Sequence, residues 1–366
     1  MAIARTVLHT AFIAFIALFV TIVPGSPGKS AETWYPLKVD VWTPAFNQER
    51  KRKSDTYIPI DKADKAWKIC ASIPHLKDPY WTAVNFGLID QAKQLDVGLR
   101  LFEAGGYGNL EIQRKQIQEC MATGADALII GAISAVGLND LVERYTDDGK
   151  VVIDLINGIN SPKLTARSAV DFWDMGFLAA TFIKRAAEAA KRPMRVAWFP
   201  GPEGAGWVDQ GDKGFRTGLE GSSVEIVTTA KGDTGRATQG ALVKVALEKF
   251  KDLDYVAGTA VTANAAVDVL RRMGLAKKLK VVSYYYGPGI HRGIRRGNVI
   301  AAPTDLPALQ ARMAVDTTVR ALEKKPFFKH MGPKVMVVDR KNIKRFDAST
   351  SLPPRGFRPI FSVNDW

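Results

Sequence analysis

The chain has 366 residues, 51 of them basic and 37 acidic, giving a formal charge of +14; 46% are hydrophobic and 24% charged. That balance excludes a disordered chain, and 31 glycines are far too few for a collagen-like repeat. The length suffices for a substantial core and suits two domains better than one.

The first element is the 14-residue apolar run TAFIAFIALFVTIV at 10–23, preceded by Arg5 and His9 and followed by PGSPG. A helix needs about 20 apolar residues to span a bilayer, so 1–30 reads as a secretory signal peptide, with a retained N-terminal anchor as the alternative. Residues 31–65 hold Trp34, Pro36, Trp42, Pro44 and the basic cluster Arg50-Lys51-Arg52-Lys53 with no clear period. They read as an irregular leader with solvated charges, which a partner or an anionic membrane surface could alternatively use. With no recognition-helix pattern and no zinc-ligand spacing, the positive charge does not point to nucleic acid.

From residue 67 the text is regular. Strand 67–74 (WKICASIP) precedes a helix over 80–94, strand 98–104 (GLRLFEA) a helix over 110–123, and strand 125–132 (ADALIIGA) a helix over 136–148, before strand 150–157. A second series follows: helix 174–190, strand 195–201, helix 209–219, strand 223–230, helix 236–250, strand 255–260, helix 264–273 and strand 280–286. A short helix at 290–296, strand 299–305, a helix to about 323 and a basic tail complete the chain. Strands alternating with helices of this length predict right-handed βαβ units and parallel sheets, here in two lobes with a cleft beyond the strands' carboxyl ends.

The only cysteines, Cys70 and Cys120, fall early in a strand and late in a helix. Both positions lie at the same sheet edge, so an exported chain can bridge them, two buried free thiols being the alternative. Four scattered histidines offer no metal spacing, no nucleophile elbow occurs, and Gly105-Gly106-Tyr107-Gly108 reads as a tight turn rather than a phosphate loop. The residues thus favour binding over catalysis, with no cofactor. Aromatic residues gather at strand tips: Tyr80, Trp81, Trp173, Trp207 and Tyr284-Tyr285-Tyr286. Such faces stack on sugar rings or cage a methylated ammonium through cation–π attraction. Polar neighbours are Asp78, Asn157, Asp171 and Asp305, few for a sugar site.

The strings WKICASIPHLKDPYW (67–81), EAGGYGNL (103–110), NGINS (157–161), FWDMG (172–176) and RGIRRGNVIAAPTD (292–305) resemble the TorT-like group of type I periplasmic binding proteins. The resemblance runs in order from about 34 to 347. It implies an α/β fold of two doubly wound lobes joined by three crossovers, near 158–162, 286–288 and 302–305. Lobe one would comprise 66–158 plus 287–302, lobe two 162–285 plus 305–340, and 341–366 would be a C-terminal tail. It also implies a periplasmic location, trimethylamine N-oxide as ligand, and the periplasmic domain of a TorS-like sensor histidine kinase as partner. The family's aromatic box would fall on Tyr80, Trp81, Trp173 and Tyr285, with Tyr284 as a substitute in register and Asp305 nearby. Alternatives are a sugar or polar-solute receptor of an ABC transporter, an exported enzyme, and a repressor of this fold.

Overall fold

The computed structural model describes residues 34–364 and Trp366, together with the first two residues; apart from those two, the expected signal peptide lies outside the described residues. Strands β1 (Leu37–Trp42) and β2 (Arg52–Tyr57) form an antiparallel hairpin where an irregular leader was expected. The cause is a short period-two alternation, with Val39 and Val41 buried and Asp40 between them turned outward.

The first βα series is β3 (Lys68–Ile73), α1 (Pro79–Leu95), β4 (Gly98–Glu103), α2 (Leu110–Ala122), β5 (Ala127–Ile130), α3 (Asn139–Asp147), β6 (Val151–Leu155) and β7 (Ala166–Ser168). The second is α4 (Phe172–Ala190), β8 (Met194–Phe199), α5 (Gly206–Leu219), β9 (Val224–Thr229), α6 (Arg236–Lys249), β10 (Tyr255–Gly258), α7 (Ala260–Arg272), β11 (Lys280–Ser283) and α8 (Pro288–Arg296). Then come β12 (Ala301–Thr304), α9 (Pro307–Leu322), β13 (His330–Pro333), β14 (Met336–Asp339), a 3-10 turn (Ala348–Thr350) and β15 (Ser362–Val363).

Two main sheets result. One has nine strands in the order β15-β4-β3-β5-β6-β7-β13-β1-β2, parallel from β4 to β13 with antiparallel strands at both edges. The other is the parallel sheet β11-β10-β8-β9, and β12 pairs antiparallel with β14. Continuous apolar strands such as ALII, every residue buried, are what parallel sheets covered on both faces require. Cys70 of β3 and Cys120 of α2 are joined by a disulfide across 50 residues of sequence.

The chain distributes itself between the sheets differently from the expectation. Residues 166–168 still pair with β6, so the first passage to the second sheet follows Ser168 rather than lying at 158–162. Helix α8 packs on α7 of the second sheet, not with lobe one. Helix α9 packs on α1, β6 and β7, and β13 joins the nine-stranded sheet, so much of 305–340 sits with the first sheet instead of the second. The tail returns as well, β15 pairing with β4. Two glycines set how closely α4 and α5 approach: a Cβ at Gly176 would stand 2.0 Å from the Gly211 carbonyl oxygen, and one at Gly214 2.0 Å from that of Trp173.

Candidate functional site

The carboxyl ends of both main sheets face a narrow, half-open cavity with about 20 Å³ of free room, enough for about one water molecule. Its walls come from the segments after seven strands: Asp78, Tyr80 and Trp81 after β3, Tyr107 after β4, Ile156 and Asn157 after β6, Phe172 after β7, Trp207 after β8, Thr234 after β9 and Tyr285 after β11.

Helix caps aim the aromatic walls. The Asp78 carboxylate accepts the Tyr80 N–H at 3.0 Å and Pro79 occupies the first helical position, fixing the start of α1 so that Tyr80 and Trp81 fall in its first turn. Asp171 caps α4 in the same way, accepting the Trp173 N–H at 3.0 Å. This phase turns Phe172 into the cavity and Trp173 away from it. The Trp173 ring stacks on Phe177 at 4.8 Å, one helical turn on, and carries the Arg50 guanidinium 3.7 Å above it. Arg50 and Arg52 also ion-pair with Asp171 and Asp174, so half of the basic cluster expected to be solvated is a clamp from the β1–β2 hairpin onto α4.

Of the residues proposed from sequence, Tyr80, Trp81 and Tyr285 line the cavity and Trp173 does not. Tyr80 and Tyr285 meet edge to face at 5.3 Å. Tyr284 stands behind the wall, its hydroxyl donating to the Trp207 carbonyl oxygen at 2.9 Å while its ring stacks with the Trp207 indole at 5.9 Å. Asp305 also stands behind, accepting from the Tyr80 hydroxyl and, at 2.6 Å, from Gln310 Nε2. Phe172 and Tyr107 were missed, and Trp207 was flagged only as a strand-tip aromatic. Tyr107 lay in a glycine turn, and Phe172 beside a more conspicuous tryptophan. Ile156 has φ 72°, a left-handed conformation that is a true outlier for a β-branched residue; such strain gathers at functional sites.

Most polar groups of the site are satisfied within the protein, while Asp305 Oδ1 and the Tyr107 hydroxyl proton are not. Burial pushes both the Asp78 and Asp305 carboxyls up to about 6, although phenolic donors, Tyr285 to Asp78 and Tyr80 to Asp305, pull the other way. Burial raises the Tyr107 phenol too, keeping it protonated. Its oxygen accepts from Asn157 Nδ2 at 3.0 Å and from Trp207 Nε1 at 3.1 Å. Two donors fill both lone pairs, and among the described residues the hydroxyl donates to none, so its proton is left for whatever enters the cavity.

Several bonds close the cleft. Tyr285 donates to Asp78, Trp207 donates to Tyr107, His75 Nε2 lies 2.9 Å from Thr234 Oγ1, and Lys77 pairs with Asp233 at 2.7 Å. His75 Nδ1 accepts the Asp78 N–H, which places the ring hydrogen on Nε2, toward Thr234. Burial lowers the His75 pKa to about 4, keeping the ring neutral. Among the described residues no cluster of His, Cys, Asp or Glu side chains could hold a metal ion.

The family model "Periplasmic binding protein domain" matches residues 69–326. The periplasmic protein TorT of Escherichia coli (strain K12) is 36% identical over 300 residues, 82% of this chain and 86% of that protein. A solved ABC transporter solute-binding protein from Bradyrhizobium sp. BTAi1, with bound bis-tris, is 44% identical with a TM-score of 0.79, over 91% of this chain and all of that one. TorT in complex with the TorS sensor domain in the presence of trimethylamine N-oxide is 29% identical with a TM-score of 0.72, over 81% of this chain and 99% of that one.

Proposed function

This chain belongs to the periplasmic binding protein family, and from that premise we propose that it is a periplasmic solute-binding sensor. In this reading its cavity takes trimethylamine N-oxide or a close relative, and the loaded form is recognised by the periplasmic domain of a sensor histidine kinase. The observation that carries the reading is a wall of aromatic rings around the unclaimed hydroxyl proton of Tyr107. Methyl groups on a positively charged nitrogen suit ring faces, at about 0.5–2 kcal/mol per contact. An oxide oxygen is the acceptor that Tyr107 lacks, and Trp81, Phe172, Trp207 and Tyr285 supply the faces. The similarity to TorT, and the TorT complex with TorS and the N-oxide, support the ligand class and the partner. The reading includes no bond-making step.

A second reading is favoured by the Bradyrhizobium relative: a solute receptor for an ABC transporter, using the same cavity with a permease as partner. Bis-tris is itself a tertiary amine. Calorimetric titration with trimethylamine N-oxide, trimethylamine and bis-tris, alone and with the kinase's periplasmic domain, separates the two. Saturable N-oxide binding, weak trimethylamine binding and co-elution with the sensor domain are expected. Unimpaired N-oxide binding by both Trp81→Ala and Trp207→Ala would refute the cavity assignment.

A further inference from the structure

A second depression lies outside the ligand cavity. It is a groove of about 990 Å³, counted out to its open mouth, between the start of α1 and helices α6, α7 and α8. Its charged wall is almost wholly arginine. Arg236 and Arg271 share one carboxylate, Asp268, while Arg292 and Arg296 of α8 are exposed and have no ion-pair partner among the described residues. Four guanidinium groups against one carboxylate leave an excess of three positive charges on one concave surface. Lys77 borders the groove from the first-sheet side, balanced by Asp233.

The neutral lining suits an anion too. Gly289 opens the first turn of α8, and the Asn264 amide lies against it, so close that a Cβ at 289 would stand 2.3 Å from it. That amide has no hydrogen-bond partner among the described residues, and Asn298 lines the opposite side.

We infer that this groove is a binding site for a multivalent oxyanion of the phosphate class, gripped by Arg292 and Arg296 and flanked by Arg236, Arg271 and Asn264. Guanidinium forks match such oxyanions with paired, charge-assisted hydrogen bonds. The source is either a free anion or the phosphate of a lipid headgroup. It is independent of whatever fills the aromatic cavity.

The test uses the mature chain. Inorganic phosphate is titrated against sodium chloride at equal ionic strength and read by calorimetry and thermal melting. In parallel, the protein is floated with phosphatidylglycerol vesicles and with uncharged phosphatidylcholine vesicles. The variant Arg292→Glu/Arg296→Glu is compared with Arg340→Glu/Lys344→Glu, which makes the same charge change in a neighbouring depression beyond α8. Saturable phosphate binding, weakened about tenfold or more by the first variant and little by the second, establishes a free-anion site. Vesicle binding with the same variant pattern, without phosphate binding, establishes the headgroup. Equal loss in both variants, or no difference from chloride and uncharged vesicles, overturns the site.

Discussion

Replacing Asp78 by asparagine isolates the cost of a buried carboxyl at the cavity wall. Asp78 accepts the Tyr80 N–H on one oxygen and the Tyr285 hydroxyl proton on the other; asparagine keeps the capping oxygen for Tyr80, and its amide nitrogen can donate to the Tyr285 oxygen once that hydroxyl turns. What the substitution removes is ionisation. Burial lifts this carboxyl from 3.8 to about 6, so between those values the folded chain holds a proton that the unfolded chain has lost. Wild-type stability therefore falls through this group as pH rises across that window, and the loss is complete above it. A shift of about two units corresponds to about 3 kcal/mol. Relative to wild type, Asp78→Asn should gain about that amount between about pH 4 and pH 7, whatever its offset at pH 4. Urea unfolding of both proteins across that range, without ligand, measures it, the difference cancelling every carboxylate the two share. A difference that stays flat would show that Asp78 is solvated in the folded chain and refute the argument.

Three further outcomes test the disulfide, the cavity wall and the α4–α5 contact. Reducing the Cys70–Cys120 bridge releases a 50-residue separation, worth about 4 kcal/mol on a chain-entropy argument; an unchanged denaturant midpoint after reduction would show that it does not stabilise the fold. Phe172→Ala should weaken N-oxide binding about tenfold or more while Trp173→Ala leaves it within about threefold, as titration reads it, and the reverse order would restore Trp173 to the cavity. Gly214→Ala places a methyl 2.0 Å from the Trp173 carbonyl oxygen and should cost about 3 kcal/mol or more in thermal unfolding; a fully stable variant would contradict the α4–α5 packing.

How much of this could be read beforehand depended on whether the signal was local. Strands such as Ala127–Ile130 are apolar throughout because both faces are covered, and they were plain in the sequence. The β1–β2 hairpin was hidden because only Val39 and Val41 carry its alternation, between prolines and charges. Helix α9 was legible as a helix but not as part of the first sheet's packing. It is buried on every side from Pro307 to Val319, so no polar stripe announces which partner it faces. At the site, HLKDPYW gave Tyr80 and Trp81 because cap and proline together fix the helix start. At α4 the choice between Phe172 and Trp173 hung on one residue of helical phase, set by the Asp171 cap and by Arg50, which arrives from 123 residues earlier in the chain to cover Trp173. No local pattern contains that contact.

On the proposed reading, the same geometry predicts that an N-oxide closes the cleft where the parent amine does not. Closure brings together Tyr285 with Asp78, Trp207 with Tyr107 and His75 with Thr234, each hydrogen bond adding a net 0.5–1.5 kcal/mol or so once lost water is counted. Against that gain stands the Tyr107 proton. In an open cleft it bonds to water; in the closed one Asn157 and Trp207 occupy its oxygen and no acceptor among the described residues receives the hydrogen. A buried donor left without an acceptor costs about 1–3 kcal/mol, the same order as the bonds that favour closure. A ligand shifts such an equilibrium only by the difference in its affinity for the two forms. Trimethylamine can fill the aromatic walls but cannot accept that proton through an oxygen, so the closed form keeps its penalty. The oxide would remove it, and the 1–3 kcal/mol recovered amounts to roughly five- to 150-fold in discrimination between oxide and amine, which Tyr107→Phe should abolish.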